Sequence, residues 1–214
     1  MPPLIRNNDI QALVFDLGNV LIDIDFFRCA RIWSDRSGIP ATTLAARFRI
    51  DEAYRAFECG QLPPAGYFDT LRRQLGINLS DEAMQAGWNA IIRDEKPGVR
   101  AILKGLAHRF PLYVLTNTNP VHERVWASAH KELLSYFKGI FVSSRMGCRK
   151  PDAAVYREVA QSIDRPCAGI LFFDDDPENI AGARRTGMQA IHVDSTTRIA
   201  RWVDSLVAPP GRPI

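Results

Sequence analysis

Hydrophobic and polar positions change rhythm several times along the chain. Ala12-Leu13-Val14-Phe15 is a short apolar run that meets Asp16 and then Gly18. A run this short, rich in Val and Phe and closed by a turn signal, reads as a buried strand. The extended pattern continues through Val20-Leu21-Ile22-Asp23-Ile24-Asp25. From Phe26 to about Glu95 the pattern predicts several short helices and no strand. Phe27, Ala30, Arg31 and Ser34 give helical spacing that stops at Ser37-Gly38. Pro40 starts a second helix, and Ala53, Tyr54 and Phe57 mark a third that Gly60 ends. Pro63-Pro64 start a fourth, striped by Tyr67, Phe68, Leu71 and Leu75 and stopped by Gly76. Ser80-Asp81-Glu82-Ala83 is a helix-start signature, with Trp88, Ile91 and Ile92 as the apolar stripe.

Pro97-Gly98 closes this region, and strands then alternate with helices. The pattern predicts helices over 99–109, 120–134, 151–163 and 177–186, and a last helix after 193. It predicts strands over 112–116, 140–143, 170–173 and 189–193. Such alternation implies an α/β fold with a parallel sheet covered on both faces. Residues 1–24 and 96–214 are expected to form that core, and 25–95 a compact helical insertion. The Pro-rich tail from Ala208 reads as frayed.

Composition narrows the picture. With 214 residues, 46% of them hydrophobic, the chain suits one large domain or a core plus a smaller one. A formal net charge of +3, scattered without a basic run, argues against a nucleic-acid partner. The start lacks the apolar core of a signal peptide, and no apolar run approaches bilayer length. Cys29, Cys59, Cys148 and Cys167 form no Cys-x-x-Cys pair, which argues against zinc and gives no reason for disulfides. A cytoplasmic protein, monomeric or a weak homo-oligomer, is expected.

The candidate chemistry lies where strands end. Ligands of open α/β sheets bind at the carboxyl ends of strands. Asp16 there can act as nucleophile, metal ligand or both, or simply cap a turn. Three later helices open close to a proline, at Asn119-Pro120, Lys150-Pro151 and Asp176-Pro177. The residues before them, Thr116 to Asn119, Arg149-Lys150 and Asp174 to Asp176, are therefore rim residues. Carboxylates, amide and hydroxyl donors and one cation make an inventory that fits phosphoryl transfer.

These segments resemble the four signatures of the haloacid dehalogenase-like hydrolase superfamily, in order. They are Phe15-Asp16-Leu17-Gly18-Asn19-Val20, Leu115-Thr116-Asn117, Lys150-Pro151 and Phe173-Asp174-Asp175. The resemblance covers essentially the whole chain. It implies a Rossmann-like core with an inserted helical cap domain, and a Mg²⁺-dependent phosphatase acting on small phosphorylated metabolites through an aspartyl phosphate. Within the superfamily the motifs look most like those of bacterial α-D-glucose-1-phosphate phosphatases, so sugar phosphates such as glucose 1-phosphate are the expected substrates. Carried over, Asp16 is nucleophile and metal ligand, Gly18 offers its carbonyl to the metal, and Asp175 is the second carboxylate ligand. Asp174 bonds a metal-bound water or binds directly. Thr116 and the backbone of Asn117 hold phosphoryl oxygens, and Lys150 ties the phosphate to Asp16. Asp176 is expected to cap a helix, and Asn179 to support the acidic loop.

Most phosphatases of the superfamily carry an Asp two positions after the nucleophile as general acid and base. Here Gly18 stands there and cannot transfer a proton, so leaving-group protonation is unassigned. Asp23 and Asp25 are possible substitutes, or only join sheet to cap. His122 is placed either to reach a substrate hydroxyl or to serve structurally. Glu58, Trp88 and Arg49 are cap residues for which structural roles are favoured, and Arg145 and Arg149 either add positive potential or are solvated. Two other readings share the fold: a metal-free 2-haloacid dehalogenase, and a phosphometabolite-binding protein with weak turnover because of Gly18.

Overall fold

The computed structural model describes residues 9–207. The proline-rich tail from 208, read as frayed, lies outside them. The strands are β1 (Ala12–Phe15), β2 (Ile22–Ile24), β3 (Ile92–Glu95), β4 (Leu112–Thr116), β5 (Gly139–Val142), β6 (Ile170–Asp174) and β7 (Gln189–His192). Five of them form one parallel sheet in the order β5-β4-β1-β6-β7. The chain thus winds outward from β1 in both directions, and the expected α/β core is borne out.

Alternate residues of the central strands feed opposite faces of the sheet. Leu13, Phe15, Leu171 and Phe173 enter one apolar cluster, with Phe15 and Phe173 stacked at 4.6 Å between ring centres. Val14, Leu115 and Phe172 enter the other. Helices α6 (Val99–Ala107) and α12 (Thr196–Val207) cover the first face, contributing Leu103, Leu106 and Trp202. Helices α10 (Ala153–Ser162) and α11 (Pro177–Arg185) cover the second through Val155, Val159 and Ile180.

Between β2 and β3 lie α1 (Phe26–Ser37), α2 (Ala41–Arg47), α3 (Glu52–Glu58), α4 (Pro64–Leu75) and α5 (Asp81–Asn89). The starts of α1, α3 and α5 follow capping chemistry: Asp25 accepts from Arg28 N, Asp51 from Tyr54 N and Ser80 from Ala83 N. Gly38 and Gly76 close α1 and α4 in the left-handed conformation that glycine adopts without strain. These helices share their own apolar cluster around Trp33, Phe57, Tyr67, Phe68 and Trp88.

Four sequence expectations need correction. Ile92 does not extend the fifth helix: α5 ends at Asn89, and Ile92 pairs with Ile24 in an antiparallel β2–β3 ribbon at the edge of the helical region. The single helix expected over 120–134 is broken into α7 (Pro120–Ala129) and α8 (Lys131–Leu134), because His130 leaves helical backbone at φ −112°. Ser143 is not the end of a strand but opens the short α9 (Ser143–Met146). Pro151 is not the first helical residue, since α10 begins at Ala153 behind Asp152.

α5 and α7 are joined by one buried group. His122 stacks on Trp88 at 4.8 Å, and its Nε2 lies 2.9 Å from the Trp88 carbonyl. Its Nδ1 lies 3.1 Å from Asn119 Nδ2. With Nε2 donating and Nδ1 accepting, both ring nitrogens are satisfied in the neutral imidazole, so the structural role is the one seen. Burial lowers its pKa to about 4, against a smaller opposing pull from the Trp88 carbonyl. The unfolded chain therefore binds the extra proton between pH 6.5 and 4, and stability falls as pH drops through that window. Wild type should lose about 3 kcal/mol more stability than His122→Gln between pH 7.5 and pH 4. Denaturant melts at both pH values check this, and parallel losses in the two proteins would refute it.

Candidate active site

The site forms where β1, β4 and β6 end. Phe15 pairs with Phe173 in parallel register, which sets Asp16 beside Asp174. Asp16 N donates to the Phe173 carbonyl at 2.8 Å, fixing the next step of both strands. Thr116 is the last residue of β4 and is buried.

Lys150 enters from the loop between α9 and α10. Its ammonium is sealed from solvent, 2.7 Å from Asp16 Oδ1 and 2.6 Å from Asp174 Oδ2. Asn117 holds this lysine by its backbone, donating from Nδ2 to the Lys150 carbonyl at 3.0 Å and accepting from Lys150 N at 2.9 Å. Asp174 is fully engaged by the protein. Its Oδ1 accepts from Asp176 N at 2.8 Å, and Asn179 Nδ2 reaches both of its oxygens. Asp176 caps α11 through Glu178 N, as expected.

Asp16, Asp174 and Asp175 each offer a carboxylate oxygen, all within 4.8 Å of one another. One side-chain donor bonds Asp175, Asn19 Nδ2 at 3.0 Å, and one bonds Asp16, Lys150. Both therefore keep lone pairs for a further partner. Burial above all, with Asp174 and Asp175 adding and Lys150 opposing, pushes the Asp16 carboxyl up to about 7. Burial likewise raises Asp175, with Asn19 opposing and Asp174 adding. For Lys150, burial acts downward, but the two carboxylates outweigh it and hold the ammonium above the usual lysine range. Crowded carboxylates of this kind are ionised together when a cation joins them.

A cavity of about 240 Å³ lies over these groups. Asp16, Thr116, Lys150 and Asp175 line its floor, and Phe26, Tyr54, Glu58, Ile91 and Ile92 line the side formed by the helical region. A Cβ added at Gly18 would lie 3.1 Å from Ile24 Cγ1, so an apolar side chain fills the space beside the position of the missing acid.

The structure brings Asp16, Thr116, Asn117, Lys150, Asp175 and Gly18 to one cavity, with Asp174 beside Asp16. The two proposed substitutes for the general acid are elsewhere engaged. Asp23 pairs with Lys96, and Asp25 caps α1 and pairs with Arg31 at 3.3 Å. Arg49 bonds the backbone carbonyls of Ala46 and Phe48, and Trp88 belongs to the helical core. Arg145 Nη2 lies 2.9 Å from a Glu123 oxygen and Arg149 Nε donates to Glu58 at 2.9 Å, so both guanidinium groups have partners.

Sequence reasoning missed three contributors. Asn19 sits at φ 56°, and its side chain ties Asp175 to the backbone of Ile24. Its signal was the known tolerance of Asn for left-handed backbone. Ser143 exchanges bonds with the backbone of Thr118, and the side chain of Asn117 grips Lys150, neither of which leaves a local pattern.

Comparison with known proteins agrees with this geometry. Residues 10–187 match the model of the haloacid dehalogenase-like hydrolase family. A sesquiterpene phosphatase of Aspergillus oryzae is 30% identical over 200 residues, spanning 92% of this chain and 96% of the relative. A D-ribitol-5-phosphate phosphatase of Bacteroides thetaiotaomicron is 24% identical over 196 residues, spanning 87% and 93%. A crystal structure of a family enzyme from the same Bacteroides species, in complex with magnesium and inorganic phosphate, superposes with a TM-score of 0.75 at 25% identity and covers 87% of this chain and 95% of that one. This chain is an enzyme that belongs to the haloacid dehalogenase-like hydrolases.

Proposed function

We propose that this hydrolase is a Mg²⁺-dependent phosphatase that takes the phosphoryl group of small phosphorylated metabolites onto Asp16 and passes it to water. The observation that carries the reading is the clustering of Asp16, Asp174 and Asp175 around Lys150. Three carboxylates against one ammonium leave a formal charge of −2, which a divalent cation balances. The donor set is all oxygen, as a hard cation requires. Asp16, Asp175 and the Gly18 carbonyl would hold Mg²⁺, while Asp174, whose oxygens the protein already bonds, adds negative charge beside them. When bound, the ion supplies positive charge to the phosphate and keeps the carboxylates ionised.

The residues divide the remaining work. An oxygen of Asp16 attacks phosphorus as the bond to the alcohol oxygen breaks. Thr116 and the Asn117 backbone hold the phosphoryl oxygens, and Lys150 orients Asp16 and offsets charge. The departing oxygen takes its proton from Glu58, the carboxyl that the helical region contributes to the cavity. Burial raises the Glu58 pKa, with Arg149 and Tyr54 opposing, which suits a proton donor. In the second step Glu58 takes a proton back from the attacking water, phosphate leaves, and Asp16 is restored. Residues 25–95 act as the cap that closes this space.

Sugar phosphates such as glucose 1-phosphate are the substrates that the motif resemblance favours, and the relative acting on D-ribitol 5-phosphate supports a polyol leaving group. The sesquiterpene phosphatase supports an apolar one. The enzyme works in the cytoplasm, as a monomer or weak homo-oligomer. Metal-free dehalogenation would leave the three carboxylates uncompensated, and an inactive binding protein would not need Glu58 in the cavity.

EDTA and Asp16→Asn should each abolish release of inorganic phosphate. Loss of a nucleophile lowers kcat by several powers of ten. Activity that survives either treatment would refute the mechanism. Mg²⁺ at a hundredfold excess over its Kd should stabilise the fold by about 3 kcal/mol, read as a rise in Tm. Glu58→Gln should lower kcat on alkyl phosphates by roughly two powers of ten or more, yet spare p-nitrophenyl phosphate, whose leaving group needs no acid. Equal losses on both substrates would remove Glu58 from the role of proton donor.

A further inference from the structure

Two cavities of nearly equal size share one lining side chain. The catalytic cavity measures about 240 Å³, and a second, of about 250 Å³, lies within the helical region. Phe26 lines both. It opens α1 directly behind the β2–β3 ribbon and is 44% exposed, unusual for a large apolar residue. Its neighbour Phe27 is 43% exposed and lines the second cavity. The rest of that wall is apolar, including Ala30, Leu44, Phe48 and Leu75. Phe48 stacks on Phe26 at 6.0 Å, continuing the same surface. Exposed apolar surface that lines a groove marks a ligand or partner site.

The leaving-group side of the catalytic cavity has the same character. Ile22, Ile24, Phe26, Ile91 and Ile92 line it. The polar groups there are already engaged. Both ring nitrogens of His122 have partners, and Glu58 is paired with Arg149. A sugar placed there would bury hydroxyls against hydrocarbon, and unpaired buried hydroxyls are costly. A hydrocarbon placed there would leave nothing unpaired.

Resting on the phosphatase reading above, we propose that the preferred substrate is a phosphate monoester of a long apolar alcohol. Its phosphate sits on Asp16, and its hydrocarbon runs past Phe26 into the second cavity. The occupant is a flexible hydrocarbon chain, because the second cavity has an apolar wall and a volume of only about 250 Å³.

The test is a series of n-butyl, n-hexyl and n-octyl phosphate with Mg²⁺, alongside glucose 1-phosphate and p-nitrophenyl phosphate. kcat/KM should rise about fourfold for each methylene that enters the second cavity. It should exceed that of glucose 1-phosphate by the octyl ester. Ala45→Phe, at an exposed position in the wall of the second cavity, should then lower kcat/KM for octyl phosphate toward the butyl value. Turnover of butyl phosphate should be unchanged, which also reports that the variant is folded. Flat chain-length dependence, a preference for glucose 1-phosphate, or equal loss on both esters would overturn this substrate class while leaving the phosphatase standing. No phosphate from any ester, p-nitrophenyl phosphate included, would overturn the phosphatase reading and this one with it.

Discussion

The ammonium of Lys150, shut away from water between Asp16 and Asp174, is the contact on which the site depends. A charge in the interior is tolerated only when paired and fully bonded. Every neighbour of this lysine contributes to that condition. Asn117 grips its backbone from both sides, Asn179 and the Asp176 amide fill the remaining valences of Asp174, and the register of β1 against β6 sets the two carboxylates level. Removing one partner would strand the others as bare charges in a low-dielectric pocket. The arrangement is therefore cooperative. With Asp175 counted, it is also short of two positive charges, the deficit that a divalent cation would fill under the proposed function.

Much of this was legible in the chain, for identifiable reasons. Apolar runs of four or five residues ending in Asp16, Thr116 and Asp174 announced buried strands and their rims at once. Asp176 and Asn179 were placed in their roles because capping and loop support are local. What stayed hidden was long-range pairing. Ile92 has the spacing of a helix stripe, yet pairing with Ile24 carried it into a strand. His130 has no sequence mark that would break a helix. The clasp of Asn117 on Lys150 joins residues 33 positions apart, and only the fold closes that distance.

The walls of the cavity follow a different logic from its floor. The floor is fixed by charge, through Lys150 set between Asp16 and Asp174. The walls come from the β2–β3 ribbon and the helical region and carry Ile24, Phe26, Ile91 and Ile92. Gly18 fits this division, because a carboxylate there would crowd Ile24. Under the proposed mechanism proton supply falls to Glu58, on the same helical region that would bind the alcohol.

The β2–β3 ribbon has one further consequence. The chain leaves the sheet and returns to it through two strands bonded to each other, with Asp23 and Lys96 bridging across them. The excursion is thus tied off at its neck. Beyond that neck the helices reach the rest of the chain through side-chain contacts such as the Trp88–His122 stack and the Glu58–Arg149 pair, so a substitution there can reshape the cavity wall while β2 stays paired with β3.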